Sequence, residues 1–148
     1  MRTALSFDDA LLVPRFSDVM SRKDIKIQQK LKGLHPLRLP IISSPMDTVT
    51  ESKMAIAIAN AGGIGIIHRN LKIREQCLEV KKVKKRNLIV GAAVGTNSED
   101  LDRAKFLIRS GVDLLVIDTA HGHSEKVLKI LSKLKKNDYK IPVCVGNI

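Results

Sequence analysis

Beyond residue 40 the chain alternates two hydrophobic rhythms. Short unbroken apolar runs, bounded by Gly or Pro, occur at Ile41-Ile42-Ser43, Gly65-Ile66-Ile67, Leu88-Ile89-Val90, Leu114-Leu115-Val116-Ile117 and Val143-Cys144-Val145. Such runs fit strands covered on both faces. Between them apolar residues recur at helical spacing. Residues 50–61 are rich in Ala, Ile and Met, and Thr48 with Glu51 predicts a capping box at their start. Residues 73–85 carry Cys77, Val80 and Val83 on one stripe. Leu101, Ala104, Leu107 and Ile108 mark a third helix, with Asn97 or Ser98 as its cap and Gly111 as its stop. Val127, Leu128, Leu131 and Leu134 mark a fourth, and Gly62-Gly63 ends the first. Residues 1–40 show neither rhythm and are broken by Pro14, Gly33, Pro36 and Pro40. The expectation is therefore an irregular segment over 1–40, then five strands alternating with four helices over 41–148.

Strict alternation of this kind predicts an α/β fold with a parallel sheet and right-handed crossovers. It does not separate an open doubly wound sheet from part of a (β/α)8 barrel. No G-x-G-x-x-G follows the first strand, which argues against a Rossmann nucleotide site.

The chain is 148 residues long, enough for one domain with its own core but not two. Apolar residues make up 44%, charged residues 28%, and mean hydropathy is −0.01, as in a globular rather than a disordered chain. No apolar run reaches the length of a membrane span, and Met1–Asp9 has no apolar core of a secretory signal. Cys77 and Cys144 form neither a metal-type pair nor a disulfide framework. A reducing cytoplasm is expected. Lys and Arg number 26 against 15 Asp and Glu, a net charge of +11. The excess gathers at Lys81, Lys82, Lys84, Lys85, Arg86 and at Lys133, Lys135, Lys136, where two predicted helices end. Lysine there complements the helix dipole and is solvated. With aromatics at 3% there is no stacking platform for single-stranded nucleic acid, and no nucleic-acid partner is expected.

The polar residues gather just after the strands. Ser43, Ser44, Pro45, Met46 and Asp47 follow the first, and His68, Arg69 and Asn70 the second. Gly95, Thr96 and Asn97 follow the third, Asp118 to His123 the fourth, and Gly146-Asn147 the fifth. In a parallel sheet these positions share one face, where barrels and open sheets alike bind ligands. Hydroxyls, amides, a carboxylate and imidazoles there suit a nucleotide or sugar phosphate. Some have plainer readings. Asp47 is expected to bond a neighbouring loop, His121 and His123 to organise their Gly-containing turn, and both cysteines to be core. His68 and Arg69 suit ligand contact and structural bonding equally.

The same stretches carry a family resemblance. Ile42-Ser43-Ser44-Pro45-Met46-Asp47-Thr48-Val49-Thr50-Glu51 and Gly62-Gly63-Ile64-Gly65-Ile66-Ile67-His68-Arg69-Asn70 resemble the inosine-5′-monophosphate dehydrogenases. So do Leu5–Pro14, Val90-Gly91-Ala92-Ala93-Val94-Gly95 and Ile117-Asp118-Thr119-Ala120-His121-Gly122-His123-Ser124. The versions at Met46–Glu51 and Asp118–His123 favour the dehydrogenase over the related GMP reductase. The resemblance implies a partial TIM (β/α)8 barrel, in a family usually homotetrameric that oxidises IMP with NAD through a covalent cysteine adduct, aided by K+. By position, Ser44, Met46 and Asn147 face IMP, while Asp118, Thr119, Ala120 and Thr96 face NAD. No residue is assigned to a metal, and none to catalysis.

Two departures shape the functional expectation. The family commonly inserts a pair of CBS modules after the second helix, whereas here Lys81–Arg86 runs directly into Leu88-Ile89-Val90. The catalytic cysteine, the K+ loop and the phosphate loops of the family follow a point equivalent to Ile148, and neither cysteine here matches the nucleophile position. The expectation is the first half of a barrel, inactive alone, working as a homo-oligomer or with a complementing C-terminal half. A non-catalytic nucleotide-binding or assembly module is the alternative.

Overall fold

Nine regular elements realise the predicted alternation in a computed structural model that describes residues 3–136 and 139–147. They are β1 (Ile42–Ser43), α1 (Ser52–Ala61), β2 (Ile64–Ile67), α2 (Ile73–Lys84), β3 (Gly91–Val94), α3 (Asp100–Arg109), β4 (Leu114–Asp118), α4 (Glu125–Lys136) and β5 (Val143–Gly146). All neighbouring strands pair in parallel, and their spatial order is the chain order, β1 to β5. A doubly wound sheet would reverse direction at a switch point, and this one does not. The sheet is wound one way, as in a barrel, and forms a half-barrel with four helices.

Alternation along the strands divides the core in two. Ile67, Ala92, Val94, Leu115 and Ile117 pack with Val80, Val83, Ala104, Leu107, Val127 and Ile130 from the helices. Ile64, Ile66, Ala93 and Leu114 point the other way and meet Leu37, with Leu31 and Leu34 alongside. The end of the otherwise irregular segment before β1 thus caps the inner face, fixed by a bridge between Gln29 and Leu37. Before it, among the described residues, lie only single 3-10 turns at Phe7–Asp9 and Arg22–Asp24.

The third strand lies later than its hydropathy predicts. Leu88-Ile89-Val90 precedes β3, which is built from Gly91-Ala92-Ala93-Val94. Val90 is held instead by Asp113, whose carboxylate accepts from Val90 N–H at 2.9 Å while Asp113 N–H donates to Val90 carbonyl. The strand is crowded at its first residue: a side chain at Gly91 would meet the terminal methyl of Ile66.

The helix ends also correct the sequence reading. α1 begins at Ser52, and the Thr48–Glu51 capping box does not form. The Ser52 N–H donates instead to Glu79 Oε2 on α2 at 2.8 Å. Burial raises the Glu79 carboxyl, but hydrogen bonds from Lys82 and Ser52 outweigh it and hold the group below the ordinary glutamate range. Neither Asn97 nor Ser98 caps α3. Asp100, inside the helix, reaches back to accept from Asn97 N–H at 2.9 Å. The predicted stops hold, with Gly62 at φ 104° and Gly111 at φ 88° in the left-handed region. The lysine clusters sit in the last turns of α2 and α4, as their charge pattern predicts. Of the two cysteines, Cys77 is buried but Cys144 is exposed, contrary to its core assignment. Cys144 alternates with Val143 and Val145, which face the helices, so its own side chain lies on the inner face.

Candidate functional site

Register places the polar turns along one edge. Ser43 pairs with Gly65, Ile67 with Ala92, Val94 with Ile117 and Asp118 with Gly146. The residues that follow these ends therefore share the carboxyl edge of the sheet. Ser44, Thr96, Asp118 and Asn147 all sit there, on four different strand ends. A hollow of about 560 Å³ beside Gly33, Leu34, Ile89 and Tyr139 belongs to the opposite, amino end.

The turn after β1 is organised by Thr50, which is fully buried. Its hydroxyl donates to the Ser44 carbonyl at 2.6 Å, which leaves the Ser43 hydroxyl to donate to Thr50 Oγ1 at 3.0 Å. The Ser44 carbonyl also accepts from Met46 N–H at 2.9 Å. With its backbone so held, the Ser44 side chain projects exposed, as does Met46. Asp47 is tied to the next turn, its Oδ2 accepting from Asn70 Nδ2 at 3.0 Å. That is the bond to a neighbouring loop that the sequence reading preferred for it.

His68 at the end of β2 is buried at 3% exposure. Its Nε2 stands 3.5 Å from Glu51 Oε1, and its Nδ1 has no hydrogen-bond partner among the described residues. Its backbone N–H donates to the Thr50 carbonyl at 3.3 Å. After β3, Gly95 is pinned by packing: a Cβ there would lie 2.6 Å from Asp100 Oδ2 and 3.1 Å from Arg69 Nη1. Only glycine lets this turn lie so close to that carboxylate. Thr96, next along, is half-buried.

The ends of β4 and β5 are laced through their backbones. The Gly146 carbonyl accepts from Thr119 N–H at 2.9 Å and from the Thr119 hydroxyl at 3.0 Å. Asn147 N–H donates to the Thr119 carbonyl at 2.7 Å, and Gly122 N–H to the Asn147 carbonyl at 2.5 Å. Asp118, half-buried at the strand end, makes no side-chain hydrogen bond or ion pair among the described residues. An uncommitted carboxylate at a strand terminus is a strong acceptor for a pair of hydroxyls. The Thr119 hydroxyl, by contrast, has already spent its proton within the fold.

The sequence profile of the IMP dehydrogenase / GMP reductase domain matches residues 4–148 of this edge-forming chain. The chain belongs to that family. The inosine-5′-monophosphate dehydrogenase of Cryptosporidium parvum is 37% identical over 187 aligned residues, covering 97% of this chain and 46% of the relative. That of Borreliella burgdorferi is 34% identical over 197 residues, covering 99% and 48%. That of Aquifex aeolicus is 28% identical over 276 residues, covering 100% and 56%. The chain spans about half the length of these curated relatives.

Within the family frame, the structure brings every candidate ligand residue named from sequence to one edge: Ser44, Met46, Thr96, Asp118, Thr119, Ala120 and Asn147. Four polar residues with other duties were missed by sequence reasoning, namely Glu79, Gln76, Asp100 and Arg103. A signal for two of them was present. Gln76 is in phase with the buried Val80 and Val83 of α2, and Arg103 with Leu107 of α3. A polar residue in register with a buried stripe is bound to find a partner inside.

Proposed function

We propose that this chain supplies the IMP- and NAD-facing first half of an IMP dehydrogenase barrel. One observation carries the reading: four strand ends present Ser44, Thr96, Asp118 and Asn147 at one edge, with the Asp118 carboxylate uncommitted. NAD, when bound, serves as hydride acceptor for the oxidation of the purine nucleotide. The chain's own part is to bind and orient. Asp118 accepts hydrogen bonds from adjacent ribose hydroxyls, Thr96 adds a hydroxyl beside them, and the exposed backbone at Ala120 completes that side. Thr119 fixes the β4 and β5 turns against each other. Ser44 offers an exposed hydroxyl to IMP, Met46 packs against it, and the Asn147 amide reaches it from β5. The dehydrogenase direction is favoured over the reductase by the motifs at Met46–Glu51 and Asp118–His123, and the relatives named above are all dehydrogenases.

The family's covalent step requires a thiolate beside the base. Cys77 is buried in α2 and Cys144 stands within β5, short of the turn that carries Asn147. We assign the nucleophile to neither, and K+ to no residue here. In this reading turnover needs a complementing C-terminal half, which pairs with the free sides of β1 and β5, in a cytoplasmic enzyme.

The test uses the chain alone, with IMP and NAD. Calorimetry detects binding of each, and NADH absorbance stays flat until a C-terminal half containing a cysteine loop is added. Asp118→Ala weakens NAD by about tenfold or more, the worth of a hydrogen bond to a charged acceptor, and leaves IMP affinity unchanged. Sustained turnover by the chain alone overturns the nucleophile assignment. Absence of binding by either ligand overturns the site, and binding without turnover after complementation favours a non-catalytic module.

A further inference from the structure

The turns at the carboxyl edge are tied together from beneath by side chains that the ligand assignment leaves unused. Gln76 is fully buried on α2. Both its amide hydrogens are used: Nε2 donates to the Ile67 carbonyl on β2 at 3.3 Å and to the Ala93 carbonyl on β3 at 2.9 Å. Its Oε1 accepts from Arg103 Nη1 at 2.8 Å, and the same nitrogen donates to the Leu71 carbonyl at 3.0 Å. Arg103 Nε stands 3.5 Å from Asp100 Oδ1, an ion pair without hydrogen-bond alignment. Asp100 Oδ2 accepts from Asn97 N–H at 2.9 Å and lies directly under Gly95. A continuous polar relay thus runs from two strand carbonyls to the turn that carries Thr96.

A relay of this kind is a poor way to stabilise a core. Arg103 and Asp100 are 7% and 3% exposed, and a buried ion pair gains little over apolar residues of the same size. Apolar residues, however, cannot accept a hydrogen bond from a turn N–H. The relay does so at Asn97, next to Thr96. We propose that Gln76, Arg103 and Asp100 are positioning residues that set the Gly95–Asn97 turn, and hence Thr96, for the cofactor. The inference rests on the reading of Thr96 as a cofactor contact. It adds that the contact is placed by residues on two helices that never touch the ligand.

The test reads the turn and the ligand separately, on the whole chain. Amide exchange by NMR reports the Asn97 N–H, and calorimetry reports NAD and IMP. Asp100→Ala speeds Asn97 exchange by about tenfold or more and weakens NAD by at least about fivefold, with IMP held within about twofold. Asp100→Asn, which retains an acceptor, restores most of both. Arg103→Lys, whose single ammonium cannot serve Leu71, Gln76 and Asp100 together, falls between them. If Asp100→Ala does not fold, Asp100→Asn and Arg103→Lys carry the exchange measurement. Unchanged Asn97 exchange overturns the relay. Equal loss of NAD and IMP affinity reduces it to general support of the fold. A wild-type chain that binds no NAD, yet whose Asn97 exchange responds to Asp100→Ala, removes the functional reading and leaves the turn-holding role standing.

Discussion

At the scale of single residues, glycines show where neighbours come closest. A Cβ at Gly65 would lie 2.5 Å from Ala55 Cα and 2.8 Å from Ala55 Cβ, so the obstruction is the backbone of α1 itself. At Gly91 the obstruction is the far end of Ile66, a side chain able to turn. Both glycines are buried in the sheet, yet the two alanine substitutions are not equivalent. Gly65→Ala is expected to cost about 2–3 kcal/mol, as α1 is pushed from the sheet, and Gly91→Ala about 1 kcal/mol. Urea denaturation of both variants checks this, and equal losses contradict it. The same crowding shows why part of the fold was illegible in the sequence. Bulky apolar residues mark Leu88-Ile89-Val90 as a strand, but the strand is Gly91–Val94, and it opens on a glycine where the end of Ile66 fills the space a Cβ would take. Hydropathy records what a residue prefers, not how much room it is given. The ligand-facing edge was legible for the converse reason. Parallel order alone sends every residue after a strand to one edge, whatever the packing beneath.

Among the elements, the start of α1 depends on a helix that follows it. The Ser52 N–H, one of the free donors of the first turn, finds its acceptor in Glu79 of α2, which also pairs with Lys82. The local motif at Thr48 and Glu51 pointed to self-capping, and the tertiary partner displaced it. No spacing rule within α1 can reveal an acceptor supplied by α2. This contact has a pH signature. The Glu79 carboxyl in the fold titrates below its ordinary value of 4.5, since its hydrogen bonds outweigh the effect of burial. A lowered carboxyl stabilises the fold fully above the ordinary value, and that contribution is lost as pH falls through the lower, folded value. Glu79→Gln keeps an acceptor for Ser52 N–H but has no charge to titrate. It is expected to be less stable than the wild type at neutral pH, with the difference narrowing in acid below 4.5. Denaturation midpoints across the acid range check this, and a gap that stays constant or widens in acid refutes the coupling.

For the whole molecule, the question is which part of the segment before β1 belongs to the fold. Strand alternation implied the parallel sheet and the family resemblance its half-barrel, but the irregular segment gave no periodicity from which to read its role. The structure divides it. Leu11, Leu12, Phe16 and Met20 are 94–98% exposed, so this stretch contributes almost no burial. Among the described residues its hydrogen bonds are local, as between Ser6 and Asp9 or Ser21 and Lys23. Leu37, at 4% exposure, closes the inner face against Ile64, Ile66, Ala93 and Leu114, and the Gln29–Leu37 bridge sets its position. Removal of residues 1–24 is therefore expected to leave the thermal midpoint within about 2 °C, because none of the described side chains in that stretch is buried. Leu37→Ala leaves a cavity at the floor of the half-barrel and costs about 2–4 kcal/mol, which lowers the midpoint by on the order of 10 °C. Thermal unfolding followed by circular dichroism measures both changes in one experiment. If the truncation lowers the midpoint as far as the single substitution does, the exposed stretch is part of the folded unit and the floor of the half-barrel extends beyond Leu37.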